Sequence, residues 1–154
     1  MPQTTMRDED TYPLPDETPF PARLESVEVK TIQFEKKDRK TGAKTGEWSS
    51  FDKWVWDFQI TSGQYAGLHA YGETEDRLTN HPDNKVRQWA ETLRDAPFEI
   101  GEGLNTDDLA GLPCIITVRH DEPRPKRDGG NFYPCPVDDV FPQGALPVDD
   151  EPPF

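Results

Sequence analysis

Cysteine and histidine are scarce in this 154-residue chain, at two and three respectively. Cys114 and Cys135 are too few for a disulfide framework, show no CxxC spacing and have no paired Cys/His arrangement around them, so a structural zinc site is not expected. Both fall within expected strands beside apolar residues, where a thiol behaves as a small buried hydrophobe. No apolar run approaches the roughly 20 residues that a membrane helix needs. The N-terminus also lacks the basic and apolar segments of a signal peptide, so a cytoplasmic protein with no membrane partner is expected. Serine elbow, P-loop, HExxH and Cys/His dyad signatures are all missing. Asp107 with Asp108, and Asp138 with Asp139, could be offered as metal-holding carboxylates. Neighbours on a strand point to opposite faces, however, and on a loop such pairs are routine. The expectation is a protein without catalysis, metal or cofactor.

Acidic charge is plentiful, with a net charge of −13, but it is unevenly placed. Residues 1–21 carry five acids, one Arg and five prolines, and 142–154 carry three acids and no base. These compositions predict an N-terminal arm (1–21) and a C-terminal tail (142–154) with too little apolar content to bury anything. The domain between them, 22–141, is long enough for a modest core.

Within that domain the pattern is mostly of strands. Ala22 to Lys36 carries Leu24, Val27, Val29, Ile32 and Phe34 in an imperfect alternation that predicts a first strand with a bulge. A glycine-bearing loop follows to Gly46. Phe51 to Thr61 alternates cleanly, with Trp54, Trp56, Phe58 and Ile60 on one face. Trp56 and Phe58 read as core, whereas Trp54, nearer the loop, divides between core and surface. A turn around Gly63 and Gly67 leads to a third strand, Leu68 to Glu73. Val86, Trp89, Ala90 and Leu93 have helical spacing within Pro82 to Arg94, with Asn80 or His81 ahead of a proline suited to the first turn. Cys114 to Asp121 is a fourth strand. Phe132 to Phe141 is a fifth, expected at a sheet edge because of Pro134 and Pro136. His69 and His81 read as surface residues without carboxylate partners.

Three strands, a helix and two strands is the element order of the OB-fold, a five-stranded Greek-key barrel that binds oligonucleotides on its second and third strands and on the loops joining strands one to two and four to five. Those two loops hold the concentrated bases of this acidic chain. Lys36, Lys37, Arg39, Lys40 and Lys44 face one acid in the first, and Arg124, Lys126 and Arg127 face one acid in the second. Lys53 and Arg119 extend the two groups. Single strands are held by phosphate neutralisation and by bases stacked on rings, and the candidate rings are Trp48, Phe51, Trp54, Tyr71 and Phe132. A duplex is a poorer expectation, because no helix begins with the basic residues of a recognition helix.

The sequence closes with Asp149, Asp150, Glu151, Pro152, Pro153 and Phe154. An aromatic ring beside a carboxylate, preceded by acids, suits a partner pocket with a cationic rim. This segment resembles the acidic tip of bacterial single-stranded-DNA-binding proteins. A second resemblance, to small proteins of actinobacterial phages and their hosts, rests on Trp56, Phe58, Ile60, Gly63, Tyr65 and Gly67, then Asn84, Lys85, Arg87, Trp89, Glu91 and Leu93, then Leu112, Pro113 and Cys114. The resemblances imply binding of single-stranded DNA with little sequence preference. They also imply recruitment of replication or repair proteins through the tip, possible assembly into a homo-oligomer, and a host-cytoplasm setting. The short linker Pro142 to Val148 would hold the tip near the basic loops, where it could compete with DNA. The rival expectation is a protein-binding module or inhibitor that uses its acidic surface as a DNA mimic.

Overall fold

The structure is a computed structural model and describes residues 12–145. Residues 1–11 of the expected arm, and the Asp149 to Phe154 tip, lie outside the described residues.

The described chain is mainly β. Its strands are β1 (Phe20–Lys37), β2 (Lys44–Ile60), β3 (His69–Glu75), β4 (Pro113–Val118), β5 (Arg124–Pro125), β6 (Asn131–Phe132) and β7 (Val137–Phe141), with one helix, α1 (Lys85–Arg94), between β3 and β4. Five strands form an antiparallel sheet in the order β3-β2-β1-β4-β7, and β5 and β6 make a separate small hairpin. The expected bulge falls between Leu24 and Ser26, where the β1–β2 register shifts.

Alternation fixes which side chains meet. Trp54, Trp56, Phe58 and Ile60 lie opposite Val29, Val27, Leu24 and Ala22 on β1, and Trp54, Trp56 and Phe58 lie opposite Thr74, Gly72 and Ala70 on β3. Directly opposed residues share a face of the sheet, so these positions form one inner surface. Trp56 and Phe58 are fully buried, each contributing about 1.5–3 kcal/mol by removing its ring from water. The Trp56 indole N–H donates to Thr74 Oγ1 at 2.8 Å, which satisfies its polar end inside the core. Helix α1 adds Val86, Trp89, Ala90 and Leu93, the apolar stripe read from the sequence. Trp89 meets Trp56 edge-on at 5.4 Å and Phe58 at 6.0 Å.

Several boundaries differ from expectation, each for a physical reason. The helix starts after Asn84, not at Pro82: the Asn84 side chain accepts from Arg87 N–H at 2.8 Å, a cap that Asn80 and His81 do not make. The second strand begins at Lys44 rather than Phe51, because cross-strand pairing with Ile32–Lys37 outweighs the polar composition of 44–50. The fifth strand starts only at Val137. Its prolines have no N–H to donate, yet the carbonyls of Pro136 and Pro134 accept from Arg119 and Asp121 at 3.0 and 3.2 Å. Phe132 therefore belongs to the β5–β6 hairpin, and Cys135 lies in the connection before β7. β7 is an edge strand, as expected.

The expectation that nothing in 1–21 is buried fails over its described part. Leu14 and Phe20 are 2 and 4 % exposed and join the core. Tyr12 stacks on His120 with ring centroids 3.8 Å apart and donates to the carbonyl of Asp121. A few well-placed apolar residues suffice here, where average composition suggested none. No helix among the described residues is long and apolar enough to cross a membrane.

The tightest approach in the core is at Gly72 on β3. A Cβ there would lie 2.6 and 2.8 Å from two ring atoms of Trp89 and 3.2 Å from Cβ of Val137. A methyl group can enter only by displacing a buried indole. Gly72→Ala is expected to destabilise the fold by about 1–3 kcal/mol, read as a lower urea midpoint. An unchanged midpoint would show that Trp89 has room to move.

Candidate nucleic-acid interface

Odd-numbered residues of β2 and β3 point away from the core, so Phe51, Lys53, His69, Tyr71 and Glu73 share the outer face of the sheet. Lys30, opposite Lys53 on β1, joins them. Beside this face, a groove of about 610 Å³ is lined by Lys30, His69, Tyr71 and Glu73 of the sheet together with Arg119, Arg124 and Phe132. Pro13 and Leu14 also line it, as does the buried Trp89. Tyr71 and Phe132 leave 52 and 53 % of their surface in solvent. A second hollow, about 480 Å³, is lined by Phe51, Lys53, Glu73 and Arg77 among others. Lys53 Nζ lies 5.6 Å from the Phe51 ring centre, and Phe51 meets Phe34 at 5.9 Å.

The structure thus gathers Tyr71, Arg119, Arg124 and Phe132 around one groove, with Phe51 and Lys53 on the adjoining face. It does not gather the remaining candidates there. Trp48 and Trp54 occupy even positions of β2 and face the other way. Trp54 packs against the core and lies 6.3 Å from Trp56, while Trp48 is 66 % exposed. Lys36, Lys37, Arg39, Lys40 and Lys44 cluster at the far end of the β1–β2 ribbon, around the turn between the two strands. There Asp38 Oδ1 accepts from Lys40 N–H at 2.7 Å, turning the one acid of the group towards the backbone. Beyond the strands it shares with β3 and β4, the ribbon continues over the nine residues Lys44–Asp52 paired with Thr31–Lys37. At about 3.3 Å per residue that is an arm about 30 Å long. Lys126 and Arg127 sit in the turn of the β5–β6 hairpin, next to the groove-lining Arg124.

Acids temper the groove. Glu73 carboxylate oxygens lie 3.5 Å from both Lys30 and Lys53. Arg119 reaches Asp121 at 3.0 Å and Asp138 at 3.6 Å. Arg124, Lys126 and Arg127 have no ion pair among the described residues, and neither do the five bases at the ribbon end, nor Arg77 and Lys85; the first two groups are where such bases cluster. His69, expected without a carboxylate partner, has one: its Nδ1 is 2.7 Å from Asp57 Oδ1. Lys30, His69, Glu73 and Lys85 were not among the site residues expected from sequence. Alternation put His69 and Glu73 on the face of Tyr71, but Lys30 and Lys85 arrive from β1 and α1 through a register and a packing that no local pattern reveals.

No group of three His, Cys, Asp or Glu side chains among the described residues is arranged to hold a metal ion. Asp138 and Asp139 are adjacent on β7, and the Asp139 carboxylate accepts from Val140 N–H at 3.0 Å. No known protein family matches the sequence, and no curated protein is significantly similar to it.

Neither thiol is poised for chemistry. Burial pushes the Cys114 thiol up to about 12, and burial also raises that of Cys135, which lies 3.5 Å from the Leu14 carbonyl. Because the thiolate is the reactive form, iodoacetamide at mildly alkaline pH is expected to leave Cys114 unlabelled in the folded protein and to label it in denaturing urea. Rapid labelling of Cys114 without denaturant would contradict its burial.

Proposed function

We propose that this protein is an OB-fold protein that binds single-stranded DNA with little sequence preference. The observation that carries the reading is the groove whose lining brings together Tyr71, Phe132, Arg119 and Arg124. Exposed rings beside guanidinium groups are what stacked bases and their phosphates require. The strand order β3-β2-β1-β4-β7, with the helix between β3 and β4, supports the fold assignment, since oligonucleotide sites on that fold use the second and third strands. Phe51, Phe34 and the basic ribbon end continue the same side of the sheet and would extend the track for a strand leaving the groove. The acidic Pro-Phe tip, Asp149 to Phe154, belongs to the proposal as the segment that docks replication or repair proteins. The net charge of −13 and the acids paired to Lys30, Lys53 and Arg119 favour the rival reading, a DNA mimic that binds a protein.

Anisotropy of a labelled oligo-dT of about 30 nucleotides, long enough for several OB-type sites, separates the two. Saturable binding that weakens steeply with salt is expected. Tyr71→Ala and Phe132→Ala should each cost about 1–3 kcal/mol of affinity, while Trp48→Ala, on the opposite face, should change it less than about twofold. A flat titration at low salt would discard DNA binding in favour of the mimic.

A further inference from the structure

Glu73 occupies a position that a purely electrostatic track would not give to an acid. It lines both hollows, with Tyr71 beside it in the larger one and Phe51 beside it in the smaller. Tyr71 and Glu73 are two residues apart on β3 and project from the same face, about 7 Å apart along the strand. The carboxylate is held in place, Oε1 at 3.5 Å from Lys30 Nζ and Oε2 at 3.5 Å from Lys53 Nζ. Of the two pairings only that with Lys53 is also a hydrogen bond, using one acceptor direction of Oε2. A carboxylate offers about four such directions, and this side chain is 43 % exposed.

We propose that Glu73 is a specificity-determining residue of the groove, accepting a hydrogen bond from the exocyclic amine of a base stacked on Tyr71 or Phe51 and so favouring cytosine over thymine. The inference rests on the nucleic-acid reading above. The two pyrimidines stack alike and differ at one edge. Cytosine presents an N4 amine, a donor, where thymine presents an O4 oxygen, an acceptor. An ionised carboxylate can only accept, so it pairs with the first and repels the second. The flanking lysines shield the approaching phosphates from the same charge, which lets an acid stand in a strand-binding face without abolishing binding. A preference of this size is compatible with broad single-strand binding, because it acts at one or two bases of a longer site.

The test compares oligo-dC with oligo-dT of equal length on wild type, Glu73→Gln and Glu28→Gln. Glu28 lies on the same outer face of β1, opposite Val55, and lines neither hollow. Wild type should bind oligo-dC about five- to tenfold more tightly than oligo-dT, at the low end of what a base-edge contact discriminates. Glu73→Gln removes a negative charge and supplies an amide N–H that can donate to O4. It should strengthen oligo-dT binding most and bring the ratio to one or below. Glu28→Gln removes the same charge and should leave the ratio at its wild-type value. Equal wild-type affinities, a preference for oligo-dT, or a ratio unmoved by Glu73→Gln would overturn the assignment of Glu73 while leaving single-strand binding in place. Absence of binding to either oligonucleotide would overturn the binding function itself, and the role of Glu73 with it.

Discussion

The contact between Trp89 and Gly72 is the constraint on which the rest of the molecule depends. The indole comes from the only α-helix among the described residues and lies where a side chain on β3 would otherwise stand, with Val137 of β7 against the same glycine. β3 and β7 are the two ends of the hydrogen-bonded sheet, so one ring brings together elements that no strand pairing joins. Trp56 and Phe58 pack edge-on against it, and the same ring reaches the floor of the groove. Core and surface site therefore share a side chain, Trp89, which is packed against Trp56 and Phe58 and also lines the groove.

The groove also depends on irregular chain in its lining. Tyr12 is fastened by stacking on His120 and by its hydroxyl to Asp121, and Tyr133 meets it edge-on at 5.2 Å. The carbonyl of Leu14 accepts from His120 Nε2 at 2.7 Å. These contacts hold Pro13, Leu14 and the segment from Tyr133 to Pro136 in place without a continuous ladder of backbone bonds. Regular sheet and a stretch of prolines and anchored rings thus line the same groove.

Much of this was legible in the sequence where a single period governed the segment. The inner face of β2 from Trp54 to Ile60, the apolar stripe of α1 and the bulged start of β1 all follow from spacing alone. The same parity separates Trp54 from Phe51, since a strand cannot present both to one side, although the two were grouped as candidates; the side of Trp48 is fixed only by the extension of β2 to Lys44. What the spacing could not reveal was set by partners distant in the chain. The polar half of β2 is a strand because β1 pairs with it. Phe132 turns back in a hairpin because the prolines after it have no N–H for a ladder. Leu14 is buried because the segment before β1 folds over the groove. The ligand-facing role proposed for Glu73 was hidden for the same reason: its lysines come from β1 and β2, through pairing that local composition does not encode.

The ribbon has a mechanical consequence. Past Leu24 the far edge of β1 has no neighbour, and from Thr31 outward the two strands have only each other. None of the residues 31–37 or 44–52 is buried, and a lone two-stranded hairpin is marginally stable in water. Its opening is therefore uncoupled from that of the core, so a single strand, β1, spans two regimes of hydrogen exchange. Amides near Phe20 to Leu24 are tied to the buried core, whereas those near the basic turn are protected by the exposed ribbon alone, the condition for local fraying of much lower free energy. The arm that carries the largest cluster of unpaired positive charge is also the part least tied to the core of the fold.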